Sequence, residues 1–294
     1  MALIRQKSND KVKVQIRRAA ARGVAYLLLI LLGVILVFPF FFMVCRGLMS
    51  AQRFSDSFMY VFPDKIMLSN YIHAFGGGGY GFPLINSLWI YVFNAVVIPF
   101  SSLLTAYAFA RLNWIGKKFV FSFMMATAML PGVVTQVPLY VMYNNFNMLD
   151  TYYPILLPGI FFGGAMNVFL ARQFIMTHPA EIYESARIDG AGPFRSFISI
   201  TLPLCKTIYI YLALCIFIAG WGDYYTPSIY LKNMGSDKIT FAYALYRNLW
   251  SDANNLHPEY VFAACTIISL VPTVLYAVFQ KYLVQGIASV GVKG

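Results

Sequence analysis

Charge is scarce in this chain. Asp, Glu, Lys and Arg make up 11% of its 294 residues and hydrophobic residues 60%, where soluble domains carry about 25% charge and 45–50% apolar residues. That imbalance excludes an ordinary soluble protein. Cysteine is nearly absent as well. Cys45, Cys205, Cys215 and Cys265 show no CxxC or metal-ligand spacing and are expected to be small apolar fillers with free thiols. The three histidines, His73, His178 and His257, are scattered. Neither HExxH nor a histidine cluster is present, so no metal or other cofactor is expected in this chain. No G-x4-GK[ST] occurs, so the chain does not bind ATP through a P-loop. The four glycines Gly76–Gly79 lack that sequel and read as a flexible hinge.

Long apolar runs are what the chain does have, and several reach the ~20 residues that cross a bilayer. The expected fold is all-α, a membrane protein with six transmembrane helices. Residues 1–23 form a basic arm, 24–45 the first transmembrane helix and 46–83 an external connection. Residues 84–283 form a transmembrane core, and 284–294 a tail. The first run is longer than a signal-peptide core and no small-x-small site follows, so it is expected to stay as an anchor. Later spans are expected near 84–110, 119–143, 152–171, 207–231 and 259–280. The third is broken by Pro131-Gly132 and Pro138, and the fourth carries the small patch Gly163-Gly164-Ala165, suited to close helix contact.

Six spans place both termini on one side. Sixteen of the 22 Lys and Arg residues then fall on that side, which carries +12 while the remainder carries −1. The positive-inside rule makes it the cytoplasm. The net charge of +11 therefore reports orientation in a membrane, and no nucleic-acid partner is needed.

Residues 177–206 interrupt the apolar pattern on the cytoplasmic side. Pro179 suits a helix start, with Glu181 in its first turn where the helix dipole favours an acid. Asp189-Gly190 signals a stop, with glycine supplying a left-handed turn. Gly192-Pro193 begins a second helix, and Leu202-Pro203 ends it. Two short helices at an angle are expected, with Ser185, Ala186, Gly190, Ala191 and Gly192 keeping the elbow slim. Such a pair either lies in the interface without a partner or enters a cleft on another protein.

Glu184-Ser185-Ala186, Gly190, Ile200, Leu202 and Pro203 have the spacing EAA-x3-G-x9-I-x-LP. This resembles the signature of ABC importer permeases, with Ser185 in place of the first alanine. Asn86-Ser87-Leu88, Ala106-Tyr107-Ala108-Phe109-Ala110-Arg111-Leu112, Arg172-Gln173-Phe174, Ile188-Asp189-Gly190-Ala191 and the ending Val292-Lys293-Gly294 are similar to the shorter permease of carbohydrate (maltose-type) importers. The resemblance implies a multi-pass subunit of a bacterial-type plasma membrane, with no catalytic residues of its own. It implies a second permease, an ATPase dimer carrying ATP and magnesium, an external solute-binding protein and a carbohydrate substrate. Glu184, Ser185, Ala186 and Gly190 would sit in a groove of the ATPase, with Ile200, Leu202 and Pro203 anchoring the segment to the membrane. The loop 232–257 would face the binding protein, and the tail would reach toward the ATPases.

Polar residues inside the spans are candidates for a sugar path: Asn94, Gln136 and Asn167, joined by Trp221, Asp223 and Tyr224 near the outer face. Ser101, Ser102, Thr105, Thr127, Ser269 and Thr273 also have hydrogen-bonding groups, and each alone serves equally as a helix contact. Gly220-Trp221-Gly222-Asp223 spells the GxGD of intramembrane aspartyl proteases, but that chemistry needs a second facing carboxyl, and none falls in a span. A secondary transporter would need ionisable groups near the midplane, and a membrane adaptor that merely recruits an ATPase would need no polar span residues.

Overall fold

The computed structural model describes residues 2–57, 59–76, 79–250 and 257–291, and within the helices the side chains of 18, 21–57, 59–76, 79–248 and 257–281. Among the described residues every regular element is helical. Four helical stretches are long and apolar enough to cross a membrane: Ala21–Gly47, Gly81–Arg111, Tyr153–Met176 and Pro258–Lys281. Two bent pairs, Lys117–Thr127 with Gly132–Asn145 (98°) and Pro193–Leu204 with Lys206–Trp221 (77°), raise the count to six if each is one span. Contacts divide the chain into two units, residues 1–71 with 257–266, and residues 72–256 with 267–294.

The first unit begins with α1 (Ala2–Gly47), an apolar helix whose most hydrophobic 18-residue window is entirely unburied. Its end is tied down by polar contacts. Arg46, 1% exposed, donates from Nη1 to Ser57 O (3.0 Å) and from Nη2 to Phe54 O (3.3 Å), and lies 3.6 Å from the centre of the Phe54 ring. These contacts replace the water a buried guanidinium loses. Ser50 Oγ caps α2 (Ala51–Asp56) by accepting from Arg53 N, and donates to Asp64 Oδ2 (2.8 Å). At the start of α3 (Ser69–Phe75), Asn70 Nδ2 donates to the carbonyls of Gly47 and Met49.

The second unit is organised on α4 (Gly81–Arg111), a 31-residue helix. Next come α5 (Lys117–Thr127) and α6 (Gly132–Asn145), separated by the Pro131 break expected from sequence. They are followed by α7 (Tyr153–Ile160) and α8 (Ala165–Met176). The cytoplasmic-type segment holds α9 (Glu181–Ile188), α10 (Pro193–Ser196), a π-helical turn at Phe197–Thr201 and α11 (Leu202–Leu204). It leads into α12 (Lys206–Trp221) and α13 (Tyr225–Tyr230), then α14 (Phe241–Trp250) and α15 (Pro258–Gly291). Helix α4 packs against α12, α8 and α7. The core joins Leu103, Ala106 and Tyr107 of α4, Val168, Ala171 and Ile175 of α8, and Phe197, Cys205, Ile208 and Leu212.

The fourth apolar stretch is broken at residues 161–164. Phe162, Gly163 and Gly164 have φ of 62°, 69° and 87°, three residues of positive φ in a row. Ser102 Oγ lies 2.7 Å from Ile98 O and 3.1 Å from Gly163 O, and Asn167 Nδ2 donates to Gly163 O (2.8 Å). The carbonyl released by the break is thus satisfied by side chains, which an unwound segment among apolar helices requires. A Cβ on Gly163 would collide with Ser102 Oγ, so the expected close helix contact is present.

Two boundaries differ from the hydropathy pattern. The apolar run 207–231 is divided, because α12 ends at Trp221 and Asp223 Oδ1 accepts from Tyr225 N and Thr226 N to start α13. Leu202-Pro203 does not end the second short helix; the coil continues through it. Proline supplies no N–H, and its ring crowds the carbonyl four residues earlier. The helix widens there, and Leu202 N donates to Phe197 O, five residues back.

Candidate functional site

The elbow at residues 181–193 is built from backbone hydrogen bonds. Gly190 has φ 79°, with its N–H donating to Arg187 O (3.1 Å) while Ala191 N donates to Ala186 O (2.9 Å). This is the paired closure by which glycine ends a helix in the left-handed region. Helix α9 carries Glu181 and Glu184 in its first turn and Arg187 in its last, each at the end the helix dipole favours. Pro193 then sits at the first turn of α10.

Helix α9 buries none of its residues completely. Glu184, Ser185 and Gly190 are exposed and Ala186 is half-buried. Ile188 is 86% exposed, and Ile182 and Phe194 are also exposed. The opposite side of α9 turns inward through Tyr183, which packs on the core. Further along, Ile200 and Leu202 are half-buried and Pro203 is exposed. Phe197, Thr201 and Cys205 are fully buried. Tyr183 and Phe197 were not singled out by sequence reasoning. The fourfold spacing 197, 201, 205 is a helical stripe that marks the buried face.

The polar span residues separate into two groups. Asn94 is buried, with Nδ2 3.3 Å from Ile155 O. Asn167 holds Gly163 O, and Trp221, 2% exposed, donates from Nε1 to Ile268 O (2.7 Å). Asp223 is occupied with the backbone of α13. Gly220 makes room for the Tyr91 ring, whose Cε1 would lie 2.6 Å from an added Cβ. The GxGD string thus has a packing role at its glycine and a capping role at its acid.

Gln136 has a different setting. It lines a cavity of about 440 Å³ with Leu139, Tyr143, Tyr225 and Tyr230, and the Tyr225 hydroxyl donates to Gln136 Oε1 (3.0 Å). Tyr224, 45% exposed, stacks on Tyr246 with ring centres 4.7 Å apart. A glutamine amide beside exposed tyrosine faces and hydroxyls offers both donors and acceptors, with apolar faces for a ring to rest on. Tyr225 closes the Trp221–Tyr225 stretch read from sequence as lining the outer part of the path, although only Trp221, Asp223 and Tyr224 were named there as candidates. A larger cavity, about 790 Å³, is walled mainly by apolar side chains including Phe109, Trp114, Phe123 and Phe194, a poor match for a polyhydroxylated ligand.

The loop after α13 is pinned to its surroundings. Asp150 accepts from Asn233 N (2.8 Å) and Asn233 Nδ2 (2.9 Å), and Tyr152 Oη donates to Lys238 O (2.6 Å). Asn86 Nδ2 donates to Asp237 O and Ile239 O, and Ser87 Oγ accepts from Phe241 N. The Asn86-Ser87 pair noted in the sequence therefore holds this loop. Residues 251–256 of the loop and the ending Val292-Lys293-Gly294 lie outside the described residues. Among the described residues no three His, Cys, Asp or Glu side chains group as a metal site, and the four cysteines are free thiols.

Residues 99–289 match the family of binding-protein-dependent transport system inner membrane components. The chain belongs to this family of inner-membrane permeases. Among its relatives, the melibiose/raffinose/stachyose import permease MelC of Bacillus subtilis is 32% identical over 87% of this chain and 91% of its own. The sn-glycerol-3-phosphate transport system permease UgpE of Brucella abortus is 30% identical over 92% of this chain and 97% of its own. A subunit of a bacterial ABC transporter that imports the acidic polysaccharide alginate has the same fold, with TM-score 0.76, 20% identity and coverage of 88% of this chain and 95% of that one. Membership makes this permease a multi-pass membrane component.

Proposed function

We propose that this permease is one of two membrane subunits of an ATP-driven carbohydrate importer. Counting each bent pair as one span gives six, with both termini and α9–α11 in the cytoplasm, as the positive-inside rule requires. Hydrolysis belongs to partner ATPases that carry ATP and magnesium, and the permease supplies coupling and path rather than catalytic groups. An external binding protein delivers the solute near the pinned loop that follows α13. Nucleotide-driven closure of the ATPases displaces α9, and the two permeases rock to expose the path. Relatives named for import of melibiose, raffinose and stachyose, together with the Gln136–Tyr225 cavity, favour a sugar.

The observation that carries this reading is the outer face of α9. It presents Glu184 and Ser185 beside the exposed apolar Ile188 on a helix fixed by the Gly190 elbow. An exposed apolar side chain ringed by polar ones suits a protein groove.

Gly190→Pro tests it. Proline holds φ near −65°, whereas Gly190 has φ 79° and uses its N–H. The variant should reach the membrane yet lose transport and stimulated ATP hydrolysis in vesicles containing all subunits, assayed with melibiose, raffinose and sn-glycerol 3-phosphate. Gly190→Ala meets no atom within 4 Å and carries only the left-handed strain of about 1–2 kcal/mol, so it should transport at a reduced rate. Full transport by Gly190→Pro would remove α9 from the coupling path. Flux that persists without ATP but collapses with an ion gradient would identify a secondary transporter instead.

A further inference from the structure

Helix α9 has few attachments to the rest of its unit, yet under the proposed function it must deliver force to the spans. Its side-chain contacts to them run through Tyr183 and the cation beside that ring, Arg111. Arg111 is the last residue of α4. Its Nη2 donates to Ile175 O (2.7 Å) in the final turn of α8 and to His178 O (2.6 Å) just beyond it. A guanidinium at the last carbonyls of a helix adds charge-assisted bonds and opposes the negative end of the dipole. The same guanidinium lies 4.4 Å from the centre of the Tyr183 ring.

Tyr183 is the side chain by which α9 reaches inward. Its ring is 6.1 Å from Tyr107 of α4, and its hydroxyl is 3.4 Å from Thr201 Oγ1 in the π-helical turn. Tyr107 in turn lies 5.7 Å from Phe197, which is fully buried. One aromatic side chain of α9 therefore touches α4 and the π-helical turn, and Arg111 adds the end of α8. A planar guanidinium serves here where an ammonium would not, because it donates in its plane while presenting a face to the ring.

We infer that Arg111 and Tyr183 form the mechanical joint of this permease, positioning residues that transmit displacement of α9 to α4 and α8. This rests on the coupling reading above and adds the route of transmission. Docking and transmission use opposite sides of α9, so they separate by mutation: Ile188 faces out and Tyr183 faces in.

The test uses the full complex of both permeases, ATPase and binding protein in proteoliposomes. The probe is MgATP with vanadate. Thiol labelling of a Val133→Cys reporter in the Gln136 cavity is read with Cys215 and Cys265 replaced by serine. Nucleotide should change the labelling rate several-fold in the parent. Tyr183→Leu and Arg111→Lys should each lower that response about tenfold while the ATPase still co-purifies, and Tyr183→Phe should restore it, since the ring face is kept. Parent-like responses in Tyr183→Leu and Arg111→Lys would overturn the joint while leaving α9 docking intact. Ile188→Asp should instead release the ATPase. If it does not, and the parent shows no nucleotide response, the coupling reading itself fails and the joint with it. If Tyr183→Leu does not assemble, Arg111→Lys alone decides, because it keeps the charge and most of the bulk.

Discussion

The break between α7 and α8 makes a quantitative claim about two adjacent glycines. Both have positive φ, 69° at Gly163 and 87° at Gly164, where ψ is 139°, so alanine at either position carries about 1–3 kcal/mol of conformational strain. Their surroundings differ. A Cβ on Gly163 would strike Ser102 Oγ and lie 2.6 Å from Ser102 N and 2.7 Å from Ser102 Cα, whereas a Cβ on Gly164 meets only Asn167 Nδ2 at 3.7 Å. Backbone atoms of α4 cannot turn aside as a side chain does, and α4 is itself packed against α7, α8 and α12. Overpacking of this kind costs about 1–3 kcal/mol more. Gly163→Ala should therefore destabilise the permease by roughly 2–6 kcal/mol, and Gly164→Ala by roughly 1–3. Thermal unfolding of the detergent-purified complex, followed by size-exclusion chromatography, should show Gly163→Ala melting well below Gly164→Ala. A second variant sharpens the claim. Gly163→Ala combined with Ser102→Ala removes the hydroxyl but leaves the two backbone contacts, so it should not recover stability. Equal losses at the two glycines, or rescue by the Ser102 change, would refute the steric argument.

Three further outcomes follow from particular contacts. Tyr225→Phe removes the hydroxyl bound to Gln136 at an exposed position, so transport KM should rise by about 3–10-fold, the loss of roughly one hydrogen bond, with the melting temperature unchanged. Asp223→Asn keeps an acceptor for Tyr225 N and Thr226 N and should retain transport, while Asp223→Ala should cost about 0.5–2 kcal/mol of stability; an Asn variant that loses all function would instead mean that the charge itself matters. Asp64 lies outside the apolar stretches, and the Ser50 hydroxyl holds its carboxyl below the usual carboxylate range. Its contribution to stability is then present above the ordinary Asp value and lost as pH falls through the lowered one, and Ser50→Ala should weaken that acid dependence in unfolding followed from neutral pH down through the lowered value.

The elbow was legible in the sequence because its determinants are local. Asp189-Gly190 and Gly192-Pro193 encode a left-handed stop and a restart within five residues, and the backbone adopts both. The Pro131 bend was legible for the same reason; the Gly163-Gly164 patch was legible as a close helix contact, but not as the break between α7 and α8. Hydropathy failed where a helix end is decided by one side chain. The run 207–231 is apolar throughout apart from Asp223, and what divides it is that acid's preference for two amides at the head of α13 over a membrane-facing position. Span polarity was equally ambiguous: Asn167 and Gln136 look alike as letters, yet one satisfies a carbonyl freed by a break and the other faces a cavity. The joint at Arg111 and Tyr183 lay further out of reach, since the two are 72 positions apart and neither breaks a local pattern. Arg111 reads from sequence as an inside-positive charge ending α4, a reading that says nothing of where its guanidinium points. Only folding α8 back against α4 puts Ile175 O and His178 O within its reach, a long-range pairing that no local pattern encodes.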